Sequence, residues 1–139
     1  MVKLTLFSQI TSLIPRHIFS DIVKKYNGDK YSKGIDSWTH LISMVFCHLG
    51  QVSSVRDISN GLRSITGNIV HLGCTQAPSK SSISYINGRR PSKIFEEFYY
   101  ALAAHFRSQV KFAKPALRQI RRKIYLLDSS VISLSLSLY

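Results

Sequence analysis

Apolar side chains recur every three or four residues over about the first 110 positions, a spacing that predicts a series of amphipathic helices. The predicted helices carry apolar stripes within residues 7–14, 18–26, 41–49, 55–65, 83–86 and 95–106. Capping and stop residues fall at the predicted ends: Asp36 or Ser37, Ser53 or Ser54, and Ser79 before helices, and Asn27-Gly28 and Gly50 after them. The predicted fold class is therefore mainly α, a helical bundle.

The pattern changes near the end of the chain. From Ile132 to Leu138, apolar residues alternate with serines at a period of two, which predicts a half-buried strand. With the apolar run Ile124–Leu127 it predicts a β-hairpin, and an isolated hairpin is only marginally stable. We therefore expect a helical domain over residues 1–110, a basic linker over 111–123, and the cut-off beginning of a β-containing domain over 124–139.

Two short predicted helices, Ser53–Ile65 and Ser79–Asn87, resemble a helix-turn-helix with an enlarged turn. In such a unit the second helix enters the DNA major groove, where its polar side chains meet base edges and phosphates. The side chains predicted to contact DNA from this helix and the turn after it are Lys80, Ser81, Ser82, Ser84, Tyr85, Asn87, Arg89 and Arg90. The alternative is a capped helix pair in a bundle that binds no DNA, because helix pairs are common.

The charge balance favours the interpretation that the helix pair binds DNA. Nineteen Lys and Arg oppose seven Asp and Glu, a net charge of +12, and residues 58–127 hold twelve of the bases but only two acids. Such an excess favours a polyanionic partner, and we expect double-stranded DNA. A basic run is predicted to neutralise phosphates, and its members are Arg107, Lys111, Lys114, Arg118, Arg121, Arg122 and Lys123. A solvated linker is the alternative for this run.

Several protein classes are disfavoured. Two cysteines cannot build a disulfide framework, and the first ten residues lack the apolar core of a signal peptide. The longest uncharged stretch, Ser37–Val55, is interrupted by His40, His48 and several serines, so it predicts a buried helix and not a membrane span. We expect a cytoplasmic protein with no membrane partner.

Candidate chemistry is sparse. Cys47-His48 and His71-x-x-Cys74 contain zinc-ligand types, but each holds a single thiol, so the spacing disfavours a metal site. No Gly-rich phosphate loop or Ser-His-Asp arrangement is present. Asp128, at the end of an apolar strand, could hold a divalent metal, but one carboxylate does not hold two ions, and spacing alone favours a plain hairpin turn.

Several segments, taken in chain order, resemble the N-terminal part of bacterial insertion-sequence transposases. They are Phe7-Ser-Gln-Ile-x-Ser-Leu-Ile-Pro-Arg, Val23-Lys-Lys-Tyr-Asn-Gly-Asp-Lys-Tyr, Ser37-Trp-x-His-Leu-Ile-Ser-Met-Val-Phe, Ser54-Val-Arg-Asp-Ile, His71-Leu-Gly, Ser79-Lys-Ser-Ser-Ile-Ser-Tyr-Ile-Asn and Ile94-Phe-Glu-Glu-Phe. The resemblance is to DDE transposases of the insertion-sequence-4 type, in the branch with a domain of unknown function ahead of the catalytic core. It covers nearly the whole chain.

The resemblance implies a helical DNA-binding head followed by a ribonuclease-H-like core. In that family a strand ending in Asp-Ser-Thr carries the first of three metal-binding carboxylates, and Leu127-Asp128-Ser129-Ser130 matches that position with Ser in place of Thr. The resemblance therefore makes Asp128 the candidate first catalytic Asp, which would bind metal only in an intact family member. Mg²⁺ is the ion expected for that intact family, and we expect no cofactor in this chain.

The second Asp and the catalytic Glu of the family have no counterpart before Tyr139. Two-metal chemistry needs all three carboxylates, so we expect a truncated transposase fragment that binds transposon-end DNA and is not itself an enzyme. The alternative is an interaction module that binds or inhibits full-length transposase. A homodimer is a further possible partnership.

Overall fold

The computed structural model describes residues 6–32, 34–65 and 69–109. These ranges form α1 (Leu6–Ser12), α2 (Arg16–Lys25), α3 (Ser37–Leu49), α4 (Val55–Ser64), a 3₁₀ helix (Ile69–Leu72), α5 (Lys80–Arg89) and α6 (Lys93–Gln109). The predicted mainly helical fold is confirmed, and the described ranges contain no strand. The predicted linker 111–123 and the predicted β-hairpin lie outside the described residues.

Side-chain caps begin three of the helices at the predicted residues. The Asp36 carboxylate accepts a hydrogen bond from Thr39 N at 2.8 Å, and the hydroxyls of Ser54 and Ser79 do the same for the amides three residues later, at 3.1 Å. Each cap satisfies an amide that has no partner inside its own helix. At the other end of α2, Asn27 adopts a φ of 50°, the left-handed conformation that stops a helix.

The core gathers around α3, which packs against α1, α2, α4 and α5, while α6 packs on α2. Ile42, Ile83 and Ile94 bring three different helices together with no exposed side-chain surface. Phe19 meets Phe98 edge to face at a centroid distance of 4.9 Å, which joins α2 to α6. Burial of these apolar stripes stabilises the bundle and fixes which faces of the helices remain in water. None of the described helices combines the length and apolar character that a bilayer crossing requires.

An ion pair also connects α2 to α6. Helical spacing alone predicts that Glu97 pairs with Lys93 four residues earlier. In the structure the Glu97 carboxylate instead accepts hydrogen bonds from Lys25 Nζ at 2.8 Å and from the Tyr26 hydroxyl at 2.7 Å. These two bonds lower the pKa of Glu97, with Lys25 the larger influence. The expected local pairing is therefore wrong, because the packing of α6 on α2 brings a better-placed partner.

A buried hydroxyl joins α4 to the segment before α5. Ser59 is 2% exposed, and its hydroxyl donates to the Pro78 carbonyl at 2.8 Å. We expect Ser59→Ala to lower the free energy of unfolding by about 1–2 kcal/mol, because a buried carbonyl loses its hydrogen-bond donor. Chemical denaturation would measure this, with Asn60→Ala as the control at an exposed neighbouring position. Equal stability of the two variants would contradict the role given to Ser59.

Candidate nucleic-acid interface

The predicted helix pair is present as two helices in contact. α4 packs on α5 through buried residues of both, Ile58 and Leu62 from α4 and Ile83 and Ile86 from α5. The connection between them is long and contains the 3₁₀ helix, where the sequence predicts only an enlarged turn. α5 also runs two residues beyond its predicted end, through Gly88 to Arg89. The inner faces of both helices are occupied by packing, so any ligand of α5 must approach its outer face.

The outer face of α5 carries most of the side chains predicted to contact DNA. The exposed members are Lys80, Ser81, Ser84, Tyr85, Asn87 and Arg89. The Tyr85 ring is 56% exposed, and the Arg89 guanidinium carbon lies 4.9 Å from its centroid. This stacking holds a cation and an aromatic face together at the surface. The face thus combines two bases, small hydroxyls, an amide and an aromatic ring.

Ser82 has a different position from its neighbours. It is half-buried, and its hydroxyl lies 2.9 Å from the capping hydroxyl of Ser79. Ser81 Oγ lies 3.0 Å from the same Ser79 oxygen but remains exposed. Ser82 therefore belongs mainly to the cap that starts α5, and Ser81 is the more accessible of the two hydroxyls.

Among the predicted DNA contacts that lie in the described residues, Arg90 is the one that is buried. It is 9% exposed, and its guanidinium donates to the carbonyls of Gly28, Ile35 and Asp36, to the Ser32 hydroxyl and to the Asp29 carboxylate. Burial lowers the pKa of Arg90, and Asp29 partly offsets that effect. The expectation that Arg90 is an exposed DNA contact is wrong. Its position explains the burial, because Arg90 follows Ile83 and Ile86 at helical spacing and so continues the inner face.

The sequence around α5 is rich in positive charge. Residues 58–95 contain five bases and no acid. Of these bases, Arg63 at the end of α4 and Lys93 at the start of α6 are exposed, like Lys80 and Arg89. Arg107, near the end of α6, is exposed as well. The rest of the predicted basic run lies outside the described residues, as does Asp128. These members of the run are Lys111, Lys114, Arg118, Arg121, Arg122 and Lys123.

The cysteine and histidine pairs contribute no metal centre within the described residues. No three His, Cys, Asp or Glu side chains gather there in a way that could hold a metal ion. Burial raises the pKa of both thiols, Cys47 and Cys74. A raised pKa keeps a thiol protonated, and the protonated form is neither a nucleophile nor a metal ligand.

One exposed element beside α5 is absent from the sequence predictions. Lys30 and Tyr31, between α2 and α3, are both exposed, and the Lys30 ammonium lies 5.4 Å from the Tyr31 ring centroid. Tyr31 is 88% exposed and has a φ of 62°. The sequence signal was the turn composition Asn-Gly-Asp-Lys-Tyr, which marks a loop but does not say which helix the loop lies against.

Comparison with known proteins connects the first half of this fold to a family. A family model described as a domain of unknown function (DUF4372) matches residues 2–75, which include α1 to α4 and the 3₁₀ helix. No curated protein and no solved structure matches the chain. The domain is uncharacterised and is commonly found in transposase-related proteins. Since the match spans more than half of the 139 residues, the chain belongs to the DUF4372 family.

Proposed function

We propose that this chain is a DNA-binding helical head of a transposase of the insertion-sequence-4 type, and that it binds transposon-end duplex DNA through α5. The observation that carries the proposal is the outer face of α5, which presents two bases, an aromatic ring and an amide within a segment free of acids. The ordered resemblance to transposase N-terminal segments supports the same function, as does the frequent presence of DUF4372 in transposase-related proteins.

The side chains of α5 suit both kinds of contact that duplex recognition needs. Lys80 and Arg89 can neutralise phosphates, and Arg can also donate two hydrogen bonds to guanine. Asn87 can bond to the edge of adenine, and the small hydroxyls of Ser81 and Ser84 allow the helix to approach the duplex closely. In this proposal the bases set affinity, and Asn87 contributes to sequence preference.

A salt titration of DNA binding tests the proposal. We expect the full chain to bind a duplex in fluorescence anisotropy, with affinity falling steeply between low and physiological salt because counterions are released. Lys80→Ala and Arg89→Ala should each weaken binding about 3–10-fold and reduce the salt slope by about one unit.

Lys25→Ala is the matched control, because it removes the same charge from a lysine already paired with Glu97. Its affinity should stay within about twofold of the parent chain, since the paired ammonium is not available to a phosphate. Absence of binding at low salt, or binding that neither salt nor the two α5 substitutions change, would overturn the proposed function.

A further inference from the structure

The segment between α2 and α3 runs alongside α5. Its described residues are 28–32 and 34–36, and we name them the α2–α3 loop. At one point the loop passes close to the start of α5, where a Cβ added at Gly34 would lie 3.5 Å from Ser82 Oγ. At another point Arg90, just after the end of α5, donates hydrogen bonds to five atoms of the loop. The loop is therefore held against α5 on the side marked by Ser82 and Arg90.

The loop presents an aromatic residue and a cation to solvent at a conformational cost. Tyr31 has a positive φ, which non-glycine residues rarely adopt, and a bulky residue gains nothing in packing from a side chain that is 88% exposed. Strain held in an exposed residue by the surrounding structure is a recurring property of binding sites. Lys30 stacks over the same ring, so the two side chains form one amphipathic tip.

Within the described residues, neither acid of the loop forms an ion pair with Lys30. Asp29 Oδ1 accepts hydrogen bonds from Arg90, from Ser37 N at 2.7 Å and from the Ser37 hydroxyl at 2.8 Å. The Asp36 carboxylate caps α3. Both carboxylates remain exposed, but Asp29 pairs with Arg90 and Asp36 caps α3, so each has a partner other than Lys30.

We propose that the α2–α3 loop is a second DNA contact, which reaches the sugar–phosphate backbone beside the groove entered by α5. Lys30 neutralises a phosphate, and the Tyr31 ring packs against the adjoining sugar while its hydroxyl donates to a phosphate oxygen. This inference rests on the proposed function of α5. It adds a contact that positions the protein on the duplex and carries no base preference of its own.

Substitutions at the loop tip test the inference in the full chain. Lys30→Ala should weaken duplex binding about 3–10-fold at low salt, equally for all duplex sequences, and reduce the salt slope by about one unit. Tyr31→Gly should weaken binding while the thermal midpoint stays equal or rises, because glycine adopts the positive φ without strain. Tyr31→Phe separates the ring from the hydroxyl and should retain most of the ring's contribution.

The α5 variants and Lys25→Ala are measured in parallel, so that the two proposals can fail separately. If Lys80→Ala and Arg89→Ala weaken binding but Lys30→Ala and Tyr31→Gly do not, the loop contact is overturned and the function of α5 stands. If no duplex binds, or if all substitutions leave binding unchanged, both are overturned. Loss of affinity in Lys30→Ala and Tyr31→Gly at unchanged thermal stability supports the loop contact.

Discussion

Arg90→Ala should destabilise the fold by about 3 kcal/mol, because removal of a buried cation leaves several polar atoms without their donor. The Arg90 side chain in its ion pair is 2% exposed, whereas Asp29 is 40% exposed and can be hydrated once the pair is broken. The larger loss therefore comes from the carbonyls of Gly28, Ile35 and Asp36, which accept from Arg90 in the folded protein. For a small domain this is a large part of the total stability.

Arg89 provides the matched control for this prediction, since it is the same residue type one position earlier and is exposed. Arg89→Ala should change the free energy of unfolding by less than about 0.5 kcal/mol, as expected for a surface substitution, while weakening DNA binding. Urea denaturation followed by circular dichroism measures both variants. Arg90→Lys should be intermediate, because an ammonium cannot reproduce the planar fork of donors. If Arg90→Ala is as stable as Arg89→Ala, the structural role of Arg90 is wrong.

Reasoning from the sequence succeeds where a structural feature depends on residues close together in the chain. Helix starts at Asp36, Ser54 and Ser79 follow from local chemistry, since a cap bonds to an amide three residues away in the same chain. The buried stripes of α4 and α5 also follow from spacing alone. The exposure of most of the predicted DNA-contacting side chains on α5 is a consequence of that same periodicity.

What the sequence did not reveal depends on contacts between distant positions. Arg90 looks like part of a basic turn, yet its partners lie more than fifty residues earlier in the chain. Glu97 pairs with Lys25 and Tyr26 from another helix, and no local rule favours them over Lys93. The one available signal for Arg90 was its spacing of four from Ile86, which continues the inner face of α5. The several bases near Arg90 in the sequence instead favour an exposed basic turn.

His40, like Arg90, has a polar side chain that is buried in the folded protein. It lies on α3 with 2% exposure, and within the described residues neither ring nitrogen forms a hydrogen bond of good geometry. Its ring meets the Phe95 ring edge to face at 5.2 Å. Burial lowers the pKa of His40 to about 4, the charge of Arg90 contributes in the same direction, and the polar side chain of Asn87 on α5 partly opposes them. The folded protein therefore holds this imidazole neutral at pH 7.

This lowered pKa makes stability depend on pH in a defined direction. An unfolded chain protonates His40 near its ordinary pKa of 6.5, whereas the folded chain does so only near 4. The contribution of the neutral ring to the free energy of unfolding is therefore largest above pH 6.5, and it decreases as the pH falls to about 4. The total loss from this residue should be about 3 kcal/mol, since each pKa unit corresponds to about 1.4 kcal/mol. Urea denaturation at several pH values from 7 to 4 measures this loss.

His40→Leu should remove this part of the pH dependence and leave stability at pH 7 equal or about 1 kcal/mol higher, because an apolar side chain needs no hydrogen-bond partner in the core. His17→Leu is the control, since His17 is exposed on α2. Carboxylates such as Glu97 also titrate at the acid end, so the decisive quantity is the difference between each variant and the parent chain at the same pH. That difference should grow steadily below pH 6.5 for His40→Leu and stay constant for His17→Leu. A constant difference for both variants would show that His40 is protonated in the folded protein near its ordinary pKa, and the neutral buried imidazole would then be wrong.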